Sequence, residues 1–271
     1  HIVQNITDPD IVPYIPDGIG NSTDRQRIPA VLIIPGGAFR RLVYNFEGED
    51  VAKWLNSMGI AAFVLECRLP SDEHDNAEDV PLIDAMRAMR VIRGRAQEFG
   101  IDEAKIGVMG FSAGGFMAAL LSTAYESDVY ADYKYKDEYD KLSARPDFAV
   151  CSYPVISIDD CIEAGKRYMS EEQVLKRISD SKAKILHKYN PDKLVRPDMP
   201  PVFICETDDD RTTLSENSVG FYMAARKAGV SAELHIFRTG GHGYGCGDDF
   251  AQTGEWKVLF TKWIKSIGII S

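Results

Sequence analysis

The sequence has no Cys-x-x-Cys pair and no histidines or cysteines at metal-ligand spacing, so neither a metal site nor a dithiol redox centre is expected. Its five cysteines, Cys67, Cys151, Cys161, Cys205 and Cys246, are odd in number, which argues against a disulfide framework. Cys67, Cys151 and Cys205 fall within or beside apolar runs, where a thiol packs as a small hydrophobe. Buried thiols in a reducing compartment are therefore expected, with a cytoplasmic location ahead of a secreted or periplasmic one. No signal-type segment is read before His1. Apolar runs of the roughly eighteen residues that a membrane helix needs are missing. Basic runs are missing too: 31 Lys and Arg stand against 41 Asp and Glu, for a formal net charge of −10. That balance excludes nucleic acid and an anionic membrane as expected partners. Neither a Pro- or Ser-rich linker nor an internal repeat divides the 271 residues, so one domain over 1–271 is expected.

What is present is an alternation. Ala30 to Ile34, Ala61 to Leu65, Ile106 to Phe111, Phe148 to Tyr153 and Val202 to Cys205 read as buried strands. Ala232 to Phe237 adds a last one, with Leu234 and Ile236 alternating against Glu233 and His235. Between them lie helical patterns, among them Glu49 to Ser57, Val80 to Phe99 with arginines outward, and a closing helix from Phe250 to Ile267. Thr213 and Glu216 have capping-box spacing for another. The order predicts an α/β fold with a mostly parallel sheet of about eight strands and helices on both faces. An acidic, tyrosine-rich segment, Asp128 to Asp140, reads as a solvated edge, with a sugar-stacking platform as the alternative. Residues 157–190 read as two charged helices inserted as a partial lid.

Gly110, Ser112 and Gly114 form a GxSxG turn between a strand and a small-residue helix, which would stand the hydroxyl at a strand's C-terminal end. A serine is a weak nucleophile unless a base takes its proton and an acid orients that base. His242 lies between glycines after the last strand, and Asp208, Asp209 and Asp210 follow the strand before it. The chain order Ser, Asp, His is that of α/β-hydrolases. Pro35-Gly36-Gly37-Ala38 follows an early strand, and the N–H of Gly37 or Ala38 with that of Ala113 could hold an oxyanion.

Together with Glu47-Gly48-Glu49, Leu55 to Gly59, Tyr153 to Ser157, Glu216-Asn217-Ser218 and Gly241-His242-Gly243, these motifs resemble small α/β-hydrolase esterases. The resemblance is to the acetyl esterase and acetylxylan esterase type, on the hormone-sensitive-lipase-like branch. It implies the α/β-hydrolase fold, a Ser112–His242–Asp210 triad with Asp209 as the fallback acid, and no cofactor. The implied substrate is a short acyl ester, acetyl first, including acetylated sugars and xylo-oligosaccharides; a homo-oligomer is left open. Three positions depart from the pattern: Ala38 stands where relatives have glycine, Arg211-Thr212-Thr213 replaces Val-Val after the acid, and Glu206 replaces a histidine. A serine peptidase or amidase on the same fold, and a non-catalytic binding module, are the competing readings.

Overall fold

The computed structural model describes residues 1–18, 27–72, 74–131, 133, 136–179, 182–247 and 252–271. Its strands are β1 (Ile2–Val3), β2 (Asp10–Tyr14), β3 (Ile28–Ile34), β4 (Leu42–Val43), β5 (Ala61–Glu66), β6 (Ile101–Phe111), β7 (Ala149–Ser152), β8 (Val202–Thr207) and β9 (Ala232–Phe237). The central sheet runs β2-β5-β3-β6-β7-β8-β9, antiparallel only between β2 and β5. Among the described residues it has seven strands rather than about eight, because β1 pairs with the short β4 in a ribbon of its own.

The helices are α1 (Asp50–Ser57), α2 (Val80–Gly94), α3 (Ala96–Phe99), α4 (Ala113–Ala124), α5 (Ile158–Lys166), α6 (Glu171–Ser179), α7 (Lys182–Lys188), α8 (Ser215–Lys227) and α9 (Glu255–Ser266). They cover both faces, which is why β3 is apolar at every step instead of alternating. Ala30, Leu32 and Ile34 join the core layer under α2, α4 and α8. Val31 and Ile33 face the layer under α1 and α9, where Trp256, Phe260 and Trp263 are buried at helical spacing. Burying each such aromatic stabilises the fold by roughly 2–3 kcal/mol. Among the described residues no helix is long and apolar enough to cross a membrane, and no cysteine is in a disulfide.

Three expected elements differ in detail. The helix read from Val80 to Phe99 breaks at Arg95, and left-handed Gly100 (φ 68°) ends α3. The outward arginines are not solvated: Arg87 binds Asp137 and Asp140, Arg90 stacks on Tyr130, and Arg93 reaches the carbonyls of Glu103 and Arg145 and the carboxylate of Asp147. The tyrosine-rich segment is thus fastened to α2, and Tyr130 and Tyr133 stack on each other. The insertion forms α5, α6 and α7 rather than two helices. The expected start of the closing helix at Phe250 lies outside the described residues, and α9 begins at Glu255. Ile236 is half exposed because β9 is the sheet's edge.

Candidate active site

Parallel register brings the strand ends level. Ile34 pairs with Gly110, Phe111 with Ser152, Ser152 with Cys205, and Thr207 with Phe237. Each strand then opens into a loop on the same sheet edge, carrying Gly36 to Ala38, Ser112, Tyr153, Asp210 and His242 in turn.

Ser112 is the turn itself. It is held at φ 53°, ψ −117° between β6 and α4, a conformation that costs a non-glycine residue on the order of 1–3 kcal/mol. The glycines around it are obligatory. A Cβ on Gly110 would lie 1.9 Å from the carbonyl oxygen of Gly114, and one on Gly114 would lie 1.9 Å from that of Ile34. The result is a hydroxyl standing beside the first turn of α4, where backbone N–H groups lack intrahelical acceptors.

His242 meets Ser112 from β9. Its Nε2 lies 2.8 Å from Ser112 Oγ, and its Nδ1 lies 2.6 Å from Asp210 Oδ2. The N–H groups of Thr212 and Thr213 donate to the other carboxylate oxygen, Asp210 Oδ1, at 2.7 and 2.9 Å. Burial pushes this carboxyl upward, but the bond and charge of His242 with those two N–H groups outweigh it and leave the pKa below the usual range. Asp209 does something else: its Oδ1 accepts from the N–H of Gly240 and Gly241 at 2.9 and 2.8 Å, fixing the loop that carries the histidine. The structure therefore brings Ser112, His242 and Asp210 into one chain of hydrogen bonds and leaves Asp209 beside it.

Four residues that the sequence did not single out for the site join it. Thr213 does not cap α8, whose N-cap is Leu214; its hydroxyl donates to Asp210 Oδ2 at 2.9 Å and lies 3.2 Å from His242 Nδ1. Buried Glu47 accepts from the N–H of Gly36 at 2.7 Å and from the Tyr153 hydroxyl at 2.8 Å. That hydroxyl accepts from the N–H of Gly245 at 3.1 Å, while the Tyr153 ring stands edge-on to His242. One carboxylate and one phenol thus tie the Gly36 loop to the histidine loop, and burial pushes the Glu47 carboxyl up. Glu206 is fully buried, accepting from the N–H of Thr207 at 2.9 Å and from Ser218 Oγ at 3.3 Å. Burial first, then the charge of Asp210, raises it well above the carboxylate range.

A cavity of about 430 Å³ opens at Ser112, with Ala38 and Ala113 on its wall and Gly37 set back from it. Gly37 is required for the loop's shape, since at φ 135° a Cβ would lie 2.0 Å from the Arg41 carbonyl oxygen. The insertion lines the same cavity through Cys161, Met169, Val174 and Leu186. None of the described tyrosines between Asp128 and Asp140 lines it. The arrangement can move a proton from a serine hydroxyl to an imidazole beside a half-open, largely apolar space.

Residues 19–224, three quarters of the chain, match the family model BD-FAE. The chain belongs to the BD-FAE family. Its mostly parallel sheet with helices on both faces is the α/β-hydrolase fold. The BD-FAE chain is 31% identical over 240 residues to an acetylxylan esterase of Xylanibacter ruminicola, covering 88% of its own length and 45% of the relative's. It is also 31% identical over 227 residues to endo-1,4-beta-xylanase B of Butyrivibrio fibrisolvens, covering 83% of its own length and 34% of that protein. It thus spans half or less of the curated relatives that it matches. Among solved structures, an acetyl ester-xyloside bifunctional hydrolase from Caldicellulosiruptor lactoaceticus superposes with a TM-score of 0.79 at 35% identity, over 100% of this BD-FAE chain and 97% of that one.

Because the Thr213 hydroxyl donates to the Asp210 carboxylate, Thr213→Val should lower kcat/KM for p-nitrophenyl acetate by about tenfold, the worth of one hydrogen bond to a charged group. Steady-state kinetics would show the loss in kcat, with KM little changed.

Proposed function

We propose that this BD-FAE chain is a serine carboxylesterase that removes short acyl groups, acetyl first, from saccharides of the xylo-oligosaccharide kind. The observation that carries the reading is the unbroken relay from Ser112 Oγ through His242 to Asp210, at 2.8 and 2.6 Å, opening on a half-open cavity. Ser112 Oγ attacks the ester carbonyl as His242 Nε2 takes its proton. Asp210, acceptor from Nδ1–H, keeps Nε2 free to act as the base and stabilises the imidazolium that forms. Negative charge moves to the carbonyl oxygen, where the N–H of Ala113 and that of Ala38 hold it; Ala38 is preferred to Gly37 because it faces the cavity. His242 then protonates the departing alcohol, leaving an acyl-serine, and the same imidazole activates water to release the acid.

The curated acetylxylan esterase relative and the acetyl ester-xyloside hydrolase neighbour support the acetyl and saccharide parts of this reading. A series of p-nitrophenyl esters tests the acyl part. kcat/KM should be highest at acetate or propionate and fall by at least about tenfold at octanoate. A rising series would overturn the preference. Acetate release from acetylated xylo-oligosaccharides tests the alcohol part, and cleavage of anilides in preference to the esters would turn the reading toward an amidase.

A further inference from the structure

Two side chains on the cavity wall do nothing for the relay. Arg211 follows Asp210 at the end of β8, and Tyr168 lies between α5 and α6; both line the space that opens at Ser112. The Arg211 guanidinium carbon lies 5.9 Å from the centre of the Tyr168 ring, and Tyr168 is 54% exposed. Elsewhere, Arg87, Arg93, Arg95 and Arg196 each bind a carboxylate. Among the described residues none pairs with Arg211. The Arg211 guanidinium is thus an exposed cation on a wall that also carries Val155, Met169, Val174 and Leu186.

The chemistry that fits both side chains is narrow. An open aromatic face takes the C–H face of a sugar ring, and a planar guanidinium takes a carboxylate through two parallel hydrogen bonds. A short acyl group carries no charge, so a carboxylate reaching Arg211 must belong to the alcohol half of the ester. We propose that the cavity selects acetylated saccharides whose alcohol half bears a carboxylate, as a uronic acid does, with Tyr168 against the ring and Arg211 on the acid group. The inference rests on the esterase reading above and adds the class of alcohol to it.

Tetra-O-acetyl-glucuronate and its methyl ester differ by that charge and one methyl group, and acetate release compares them. The wild-type protein should favour the free acid in kcat/KM on the order of tenfold, as a charge-assisted contact in a half-open site allows. The preference should shrink with added salt and fall to about one in Arg211→Gln. Tyr168→Ala should raise KM for both sugars. Equal kcat/KM for acid and methyl ester in wild type, with p-nitrophenyl acetate still cleaved through Ser112, would overturn the subsite and leave the esterase standing. Failure of the wild-type protein to cleave p-nitrophenyl acetate would overturn the esterase reading and the subsite with it.

Discussion

Ser112→Ala should lower kcat for p-nitrophenyl acetate by on the order of a millionfold, leaving only what the cavity and the oxyanion donors achieve alone. The same residue carries a second, opposite expectation. Because Ser112 sits at φ 53°, Ser112→Gly should be equally inactive yet more stable, by about 1 kcal/mol, since glycine adopts that backbone without strain. Alanine keeps the strain and should melt with the wild type. Thermal unfolding of the two variants beside a turnover assay reads both effects. Turnover retained in Ser112→Ala would remove the serine from the mechanism, and equal melting of all three proteins would remove the strain argument.

Asp210→Asn should cost about ten thousandfold in kcat, because an amide can hold His242 in the tautomer that leaves no base toward the serine. Asp209→Asn should cost far less, about tenfold or below, since it loosens a loop whose N–H contacts an amide oxygen can still accept. The reverse ranking would make Asp209 the acid. The depressed pKa of Asp210 adds a pH signature. A carboxyl whose folded pKa lies below its unfolded value of about 3.9 contributes stability above that value and loses it as pH falls through the lower one. Wild-type stability should therefore drop on the acid side of pH 4 more steeply than that of Asp210→Asn in denaturant titrations.

Ser112 and His242 were legible in the sequence because each stands between glycines directly after an apolar strand, a local signal. The acid was not legible to the residue from spacing alone: three adjacent aspartates share one strand end, and what separates them is a turn in which the Asp210 N–H reaches the Thr207 carbonyl. Resemblance to known esterases pointed to Asp210, and the geometry places that residue against His242. Thr213 was misread for a physical reason. Its spacing to Glu216 is that of a capping box, but a buried carboxylate needing donors outcompetes a helix N-terminus that Leu214 can begin. Glu47 and Tyr153 meet across 106 positions, so no window of sequence contains their contact. The arginines of α2 looked solvated because periodicity shows which residues leave the core but not what packs over them.

His242 hangs from β9, and β9 has β8 on one side and, among the described residues, no further strand on the other. Ser112 leaves β6, which is flanked on both sides and buried from Ile106 to Phe111. The two halves of the proton relay thus belong to regions of unequal protection. Fraying of the margin separates imidazole from hydroxyl while the middle of the sheet remains zipped, and hydrogen exchange should register that opening at β9 well before β6. The Ser112–His242 contact is in this sense only as durable as the margin it hangs from, and its loss under mild denaturant need not wait for the tryptophans of α9 to reach water.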